Sequence, residues 1–212
     1  EFRRVLFRSE LQEDKKQKII SVSISEFAKY GYTDSSTNRI VKDSGISKGS
    51  LFKYFESKED LYFYLLDFVT GELNTSINQK LGTLSSDLFE RVIQYSELEF
   101  SWYIQNPEKY RLILKAFNKN DTDIYQKTET RFNIAGQNIY YSVLENVDTE
   151  PLNWDKRKVV DVLKWFLQGF NADFIERTEV QNGNELEINQ IRNEYVNHLT
   201  DYMEILKKGF IH

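Results

Sequence analysis

Apolar residues recur at helical spacing through most of the chain. In the first segment this periodicity predicts a helix from Asp14 to Tyr30, whose apolar face consists of Ile20, Ile24, Phe27 and Ala28. Short helices then follow, because capping residues come at close intervals. Gly31 is expected to end the first helix, and the hydroxyls of Ser35, Ser36 and Thr37 precede a second helix that runs to Asp43 and is ended by Gly45. Ser47–Ser50 begins a third helix. The Ser-x-x-acid capping box Ser57–Asp60 begins a fourth.

The rest of the chain has longer helical patterns with few breakers. The predicted helices run from Leu61 to about Leu81, from Leu84 to Gln105, from Asn106–Pro107 onward, from Ile124 to Leu144, from Asp155 to Thr178 and from Glu185 to Lys208. Turns are predicted at Asn118–Asp123, Asp148–Pro151 and Gln181–Asn184. We therefore expect an all-α fold.

Composition supports long helices and excludes several kinds of chemistry. Nine Gly and two Pro in 212 residues are less than half the usual share of about 12%, which disfavours a β fold with frequent turns. The absence of Cys excludes disulfides, thiol nucleophiles and thiolate metal sites, and the two His leave little for imidazole chemistry. We expect no metal site and no cofactor. The longest apolar stretch, Leu61–Val69, contains Asp67 and is too short to span a membrane, so a cytoplasmic location is expected.

Charge and composition divide the chain into unequal parts. Residues 1–9 (EFRRVLFRS) resemble the translation of a sequencing adapter, and we expect them to be an artefact. Residues 10–57 are expected to form a small N-terminal domain, and residues 58–212 a larger helical domain. From residue 61 onward, sixteen basic and twenty-three acidic residues give a net charge of −7. The acidity of the chain therefore belongs to the second domain.

The N-terminal pattern favours nucleic-acid binding. A helix, a turn centred on a glycine and a second short helix form a helix-turn-helix unit, whose second helix enters the DNA major groove with its N-terminal end. Between Ser35 and Lys58 there are five basic and two acidic residues, a local charge of +3. A patch of this kind can bind phosphates even when the whole chain is acidic.

Three sequence strings resemble the DNA-binding domain of TetR-family transcriptional regulators. They are EFAKYGY (residues 26–32), STNRIV (residues 36–41) and GISKGSLFKYFESKEDL (residues 45–61). The resemblance implies an all-helical homodimer with a small DNA-binding domain and a larger C-terminal domain that binds effectors and dimerises. It implies a repressor that a small effector releases from a palindromic operator of double-stranded DNA.

The resemblance also assigns roles to residues. Ile40, Ile46, Leu51 and Phe55 would be core residues. Lys48, Gly49 and Ser50 would begin the recognition helix, with Lys48 contacting a base, because lysine donates readily to guanine O6 and N7. Ser47 is expected to be an N-cap rather than a DNA contact. The expected phosphate contacts are Ser36, Thr37, Tyr54 and Lys58. Lys53 remains open between a phosphate contact and a solvated charge.

Two features depart from the family pattern. Phe52 stands where the family often has Tyr, so a phosphate contact through that hydroxyl is unavailable. Asp43 would repel phosphate unless it pairs with Arg39 or Lys42, and it is not among the expected contacts.

Aromatic residues crowd the middle of the C-terminal region, and two interpretations stay open. The side chains could fill an ordinary core, or some could line a cavity for a hydrophobic or planar effector. On the second interpretation Phe100, Tyr103 and Tyr110 lie near the cavity mouth. The acid pair Glu97 and Glu99 lies two positions apart, off a common helix face, and is expected to be solvated.

Two apolar stripes in the last two helices predict a dimer interface. The first is Val159, Val162, Leu163, Phe166 and Phe170, and the second is Ile188, Ile191, Tyr195, Leu199, Tyr202 and Leu206. Four such helices from two subunits would form a twofold bundle. Packing within one chain could also use these stripes.

A second class of function stays open beside regulation. The chain could be an enzyme or a carrier of apolar ligands with an incidental helix-turn-helix, although it lacks a phosphate-binding or dinucleotide-binding glycine pattern. We expect no enzyme. The sequence does not separate a repressor from an activator.

Overall fold

The computed structural model describes residues 12–117, 124–132, 143–144, 147–148, 150, 152–178 and 184–211. The helices are α1 (Glu13–Asp34), α2 (Thr37–Ser44), α3 (Lys48–Tyr54), α4 (Lys58–Asn78), α5 (Leu88–Gln105), α6 (Pro107–Ala116), α7 (Lys156–Arg177) and α8 (Glu185–Phe210), with a 3-10 turn at Leu81–Thr83. Residues 124–132 are also helical. Within the described residues the only β interaction is an isolated bridge between Leu152 and Ile211, which confirms the all-α prediction.

Local capping signals placed most helix ends correctly. Gly45 follows α2 with φ 72°, and Asn184 caps α8 by accepting a hydrogen bond from the Glu187 backbone N–H at 2.9 Å. Gly31 breaks α1 as expected, with φ 71°, but helical structure resumes and extends to Asp34. The predicted turn at Asn118–Asp123 and residues 133–142 of the predicted helix Ile124–Leu144 lie outside the described residues.

The start of α5 is later than the sequence predicted. Leu84–Ser86 is not helical, and α5 begins at Leu88 because Asp87 is its N-cap, with Oδ1 accepting from the backbone N–H groups of Phe89 at 3.0 Å and Glu90 at 2.9 Å. The carboxylate of Asp87 also accepts from Lys207 Nζ at 2.8 Å. Asp87 is thus a stronger start signal for α5 than Leu84, where the sequence pattern predicted the helix to begin.

The chain divides into two compact units, and the division differs from the predicted boundary at residue 57. The first unit contains the described residues of Glu1–Glu72 and Glu108–Thr128, and the second those of Leu73–Pro107 and Glu129–His212. The described residues 108–117 and 124–128 join the first unit through side-chain bonds that the sequence does not reveal. These bonds are Ser25 to Glu108 at 2.8 Å, Lys109 to Glu72 at 2.7 Å, Lys115 to the Lys29 carbonyl at 3.0 Å and Lys127 to Glu59 at 2.7 Å.

The core of the first unit fixes the helix-turn-helix. Ile40, Leu51 and Phe55 are fully buried, as the family resemblance implied, whereas Ile46 is only half-buried. The α4 ring of Tyr62 packs against Phe27 and Tyr32, with ring centroids 5.0 and 5.1 Å apart. This packing explains why the beginning of α4 belongs to the first unit.

The second unit is organised around α5. Helix α8 packs along α5, and the rings of Phe100, Phe170 and Phe174 surround Tyr195 at centroid distances of 4.9 to 5.1 Å. Arg91 is buried, and its guanidinium donates to four backbone carbonyls: to Val143, to Leu84 at 3.2 Å, to Ser85 at 3.1 Å and to Leu81 at 3.1 Å. Burial lowers the Arg91 pKa below its ordinary value.

None of the described helices is both long enough and apolar enough to cross a membrane.

Candidate functional site

The turn between α2 and α3 has a defined backbone geometry. Gly45 adopts the left-handed conformation, and its N–H donates to the Lys42 carbonyl at 3.2 Å, while the Ile46 N–H donates to the Val41 carbonyl at 3.1 Å. This pair of bonds is a Schellman motif, which ends α2 and redirects the chain into α3. A residue with a Cβ would be strained at the φ of Gly45.

The first turn of α3 faces solvent. Ser47 is the N-cap, since its Oγ accepts from the Ser50 N–H at 3.0 Å, and this confirms its predicted capping role. Lys48, Gly49 and Ser50 are all exposed. The Ser50 hydroxyl lies 2.8 Å from the Ser47 hydroxyl, so the two share a hydrogen bond. The turn therefore presents a lysine, a backbone without a side chain and a short polar side chain together.

A buried carboxylate joins α1 to α2. Glu26, which is 8% exposed, accepts from the Ser36 N–H at 2.7 Å and from Arg39 Nη2 at 2.5 Å and Nε at 2.9 Å. Arg39 also lies over the Tyr30 ring, 4.3 Å from its centroid. The hydrogen bonds to Glu26 raise the Arg39 pKa above its ordinary value. Glu26 was not predicted from the sequence, although a glutamate beside Phe27 on an apolar helix face is a signal for a buried pair.

The two residues expected to meet phosphate at the start of α2 are half-buried. Ser36 is the N-cap of α2, but its side chain makes no capping hydrogen bond, and its own backbone N–H donates to Glu26. Ser35 does not cap α2 either: its hydroxyl donates to the Tyr32 carbonyl at 2.7 Å. The phosphate contacts of Ser36 and Thr37 remain predictions.

The far end of α3 brings Lys53 and Tyr54 together. Lys53 is exposed and its Nζ lies 5.5 Å from the Tyr54 ring centroid, whereas Tyr54 is half-buried. Phe52 is half-buried as well. Their roles toward DNA stay as predicted from the resemblance.

Lys58 has a structural role that the sequence did not indicate. Its Nζ donates to the carbonyls of Thr33 at 3.1 Å and Ser35 at 3.0 Å, and lies 4.6 Å from the Tyr32 ring centroid. The ammonium thus satisfies carbonyls at the end of α1, where a positive charge is favourable. A phosphate contact by Lys58 would share these donors.

The second unit contains a small cavity of about 20 Å³, which is room for one water molecule. Its wall is formed by Val92, Tyr95, Ser96, Glu99, Val143, Leu144, Leu167, Asn171 and Tyr195. Phe100 and Tyr103 are buried and contact residues of this wall. The ring centroids of Phe100 and Tyr195 are 4.9 Å apart, and the Tyr103 hydroxyl donates to Glu99 at 3.3 Å. Tyr110 is buried in the first unit.

Glu97 and Glu99 are both half-buried rather than fully solvated, and their surroundings differ. Burial raises the pKa of Glu99 to about 7, and the Tyr103 hydrogen bond opposes this only in part. Glu97 instead lies 3.6 Å from Arg192. The sequence could not separate these neighbours, because the helices packed on α5 decide the surroundings of each carboxylate.

The two predicted dimer stripes are largely used within the single chain. Val159, Leu163, Ile188, Tyr195 and Leu199 are buried. Some apolar side chains stay exposed: Tyr202 of the second stripe is 47% exposed, and Trp165 and Ile205 beside the stripes are each 63% exposed. The rings of Phe166 and Phe170 lie 5.5 and 5.9 Å from Tyr202, so an apolar face continues across α7 and α8.

No group of three or more metal-ligating side chains placed to hold an ion occurs in the described part of the chain.

Comparison with known proteins shows what the N-terminal segment is similar to. Residues 19–65 match the family model described as "Bacterial regulatory proteins, tetR family". The HTH-type transcriptional regulator YerO of Bacillus subtilis is 36% identical over 75 residues, which are 35% of this chain and 25% of YerO. The biofilm operon negative transcriptional regulator IcaR of Staphylococcus aureus is 30% identical over 106 residues, which are 45% of this chain and 56% of IcaR. The chain thus spans between a quarter and a little over half of these relatives' lengths.

Solved structures resemble the chain along nearly its whole length. A TetR family transcriptional regulator from Chloroflexus aurantiacus has a TM-score of 0.59 at 23% identity and covers 97% of both chains. The regulator FadR from Bacillus subtilis, solved in complex with stearoyl-CoA, has a TM-score of 0.63 at 17% identity and covers 87% of this chain and 97% of FadR. At these identities the likeness shows a shared fold.

Proposed function

We propose, from the premise that the first domain of this chain belongs to the TetR family of bacterial regulators, that the protein is a DNA-binding transcriptional regulator. The observation that carries the proposal is the exposed first turn of α3, with Lys48, Gly49 and Ser50 following the Gly45 turn inside the matched segment. A helix-turn-helix presents this end of its second helix to the major groove.

The electrostatics of the surface suit a DNA duplex. Lys42, Lys48 and Lys53 are exposed on α2 and α3. Lys48 is proposed to read a base edge, with Lys53, Tyr54, Ser36, Thr37 and Lys58 as the proposed phosphate contacts. The Glu26–Arg39 bonds fix α2 against α1, which limits the conformational entropy lost when DNA binds.

The regulator is proposed to act as a homodimer on a palindromic operator. The exposed apolar face of α7 and α8, which includes Trp165, Tyr202 and Ile205, supports a twofold interface in the second unit. Two recognition helices would then meet major grooves about 34 Å apart on one side of the duplex.

We infer that the protein is a repressor which a small hydrophobic or planar effector releases from DNA. IcaR is named as a negative regulator and FadR was solved with a fatty acyl-CoA, which supports this inference by analogy. An effector can shift the equilibrium only if it binds the released state more tightly than the DNA-bound state.

Fluorescence anisotropy with a duplex from the region upstream of the gene tests the DNA surface. Lys48→Ala should reduce the ratio of operator affinity to random-duplex affinity by about tenfold to hundredfold, the discrimination that a good base contact supplies. Lys158→Ala removes an equally exposed lysine from α7 and should leave the ratio unchanged.

A second variant separates DNA contact from folding. An alanine Cβ at Gly49 would meet the Ser47 Oγ at 3.9 Å, an ordinary van der Waals contact, so Gly49→Ala should fold normally and weaken operator binding only by its bulk. Wild-type affinity in both Lys48→Ala and Tyr54→Phe would refute the assigned surface.

A further inference from the structure

Arg39, in the first turn of α2, uses only part of its guanidinium within the chain. Nε donates to Glu26 at 2.9 Å, and Nη2 donates to Glu26 at 2.5 Å and to the Asp34 carbonyl at 2.8 Å. A guanidinium has five N–H donors, of which these bonds occupy the one on Nε and the two on Nη2. Among the described residues Nη1 makes no hydrogen bond, and the side chain is 44% exposed. The donors of Nη1 are therefore left for water or for a ligand.

The direction of the guanidinium is fixed by its neighbours. Glu26 is 8% exposed, and its carboxylate also accepts from the Ser36 N–H at 2.7 Å, so it holds Arg39 from a buried position. The Arg39 Cζ lies over the Tyr30 ring, 4.3 Å from the ring centroid. A side chain held along one edge and against an aromatic ring has already lost much of its rotamer freedom, so a further bond to it costs little conformational entropy.

Arg39 shares its face of α2 with a second cation. Lys42 follows three positions later, so the two side chains are neighbours on the helix, and both are exposed. Asp43 is exposed as well, but within the described part of the chain it forms no ion pair with either of them. The first helix of a helix-turn-helix crosses the DNA backbone. Under the proposed function α2 is that helix, and two neighbouring cations on it suit a row of phosphates.

The chemistry of the unused donors selects an anion. Arginine N–H groups form short, charge-assisted hydrogen bonds with phosphate oxygens. The Glu26–Arg39 pair carries no net charge, so it adds little long-range attraction to DNA and contributes instead a bond of defined direction. Phosphate bonds of this kind set the register of a protein on the duplex, whereas base contacts read the sequence.

We propose that Arg39 donates from Nη1 to a phosphate of the DNA backbone, and that Glu26 is the positioning residue that orients it. The inference rests on the proposed function and adds to it a contact that fixes how α2, and with it α3, is seated on the duplex. The exposed lysines would supply the attraction to DNA, and Arg39 the register.

A double variant without change of net charge tests the contact. Glu26→Gln with Arg39→Ala removes the guanidinium and leaves no buried charge without its partner. The glutamine side chain keeps an oxygen that can accept the Ser36 N–H, so α2 should stay joined to α1, and circular dichroism checks that the variant is folded. Arg157→Ala, at an exposed arginine of α7, is the control for the loss of an arginine outside the DNA surface.

The probe is a duplex that the wild-type protein selects from a random library, with each backbone phosphate in turn replaced by an uncharged methylphosphonate. Fluorescence anisotropy of the full chain measures the affinity for each duplex. In the wild type and in Arg157→Ala, replacement of the contacted phosphate should weaken binding by about tenfold or more, the usual contribution of a charge-assisted bond. In the double variant the same replacement should weaken binding by less than about twofold, because the bond is already absent. Glu26→Asp keeps the charge but shortens the side chain by one methylene, so the loss at this phosphate should fall below the wild-type value.

A purely structural role for the pair would weaken binding to every duplex by the same factor. Equal losses in the wild type and the double variant at every phosphate would therefore overturn the Arg39 contact, and an unchanged loss in Glu26→Asp would overturn the positioning role of Glu26. Failure to select any duplex would sink the regulator function together with this contact. Operator binding that requires Lys48 but shows no Arg39-dependent phosphate would overturn this contact alone.

Discussion

Ionisation of Glu99 should cost the free protein stability, and the direction of the effect follows from the cavity. The carboxyl has a pKa of about 7 in the folded chain, against 4.5 as its ordinary value. Between these two pH values the folded state binds more protons than the unfolded state, so the free energy of unfolding falls as pH rises. The stability that the neutral carboxyl preserves is fully present below about pH 4.5 and is lost as pH rises through about 7.

The magnitude follows from the difference between the two pKa values. A gap of about 2.5 pKa units at 1.36 kcal/mol per unit gives about 3 kcal/mol for the whole transition. That is a substantial fraction of the roughly 5–15 kcal/mol that stabilises a typical domain. Glu99→Gln has no charge to bury and should be free of this loss.

Urea unfolding of the wild type and Glu99→Gln at pH 5 and pH 8, followed by circular dichroism, measures the effect. Other titrating groups are common to both proteins and cancel in the comparison. On going from pH 5 to pH 8, Glu99→Gln should gain about 2–3 kcal/mol relative to the wild type, because a small part of the loss has already occurred at pH 5. A relative gain below about 1 kcal/mol would refute the burial of this carboxyl.

Two further predictions concern the second unit. Arg91→Ala removes four hydrogen bonds to backbone carbonyls and should lower the free energy of unfolding, measured in urea, by about 3–5 kcal/mol. The control Arg157→Ala, at an exposed arginine, should change it by less than about 0.5 kcal/mol. A loss under about 1 kcal/mol in Arg91→Ala would contradict the role of Arg91. The double variant Trp165→Glu with Ile205→Glu should shift the protein from dimer to monomer, as measured by light scattering after size-exclusion chromatography. Leu186→Glu, at a similarly exposed leucine, should leave the dimer intact. A persistent dimer in the double variant would place the interface elsewhere.

Those parts of the fold that local chemistry determines could be predicted from the sequence. Gly45, Ser47 and Asn184 act within a few residues of themselves, and their roles were readable from spacing. The division into two compact units was not readable, because it depends on bonds such as Lys127 to Glu59, which join residues 68 positions apart. No periodicity in the intervening sequence encodes such a pair.

The candidate DNA surface was predicted by position but not by electrostatics. The sequence counts five basic residues between Ser35 and Lys58 as one patch. In the structure, Arg39 is paired with the buried Glu26, and the ammonium of Lys58 donates to two carbonyls at the end of α1. Both side chains therefore stabilise the helix-turn-helix. A count of basic residues cannot distinguish this structural role from phosphate binding.

The structural roles of Arg39 and Lys58 change the expected source of specificity for DNA. Under the proposed function, the exposed lysines Lys42, Lys48 and Lys53 would supply most of the attraction to phosphate. Arg39 is bonded to Glu26, and a phosphate contact by Lys58 would share its ammonium with two carbonyls. The sequence-independent affinity would then depend chiefly on the exposed lysines, since each phosphate contact contributes by releasing counterions. Discrimination between operators would depend on the base edges that Lys48 and its small neighbours can approach, and on the proposed dimer, which would present two such turns at a fixed spacing.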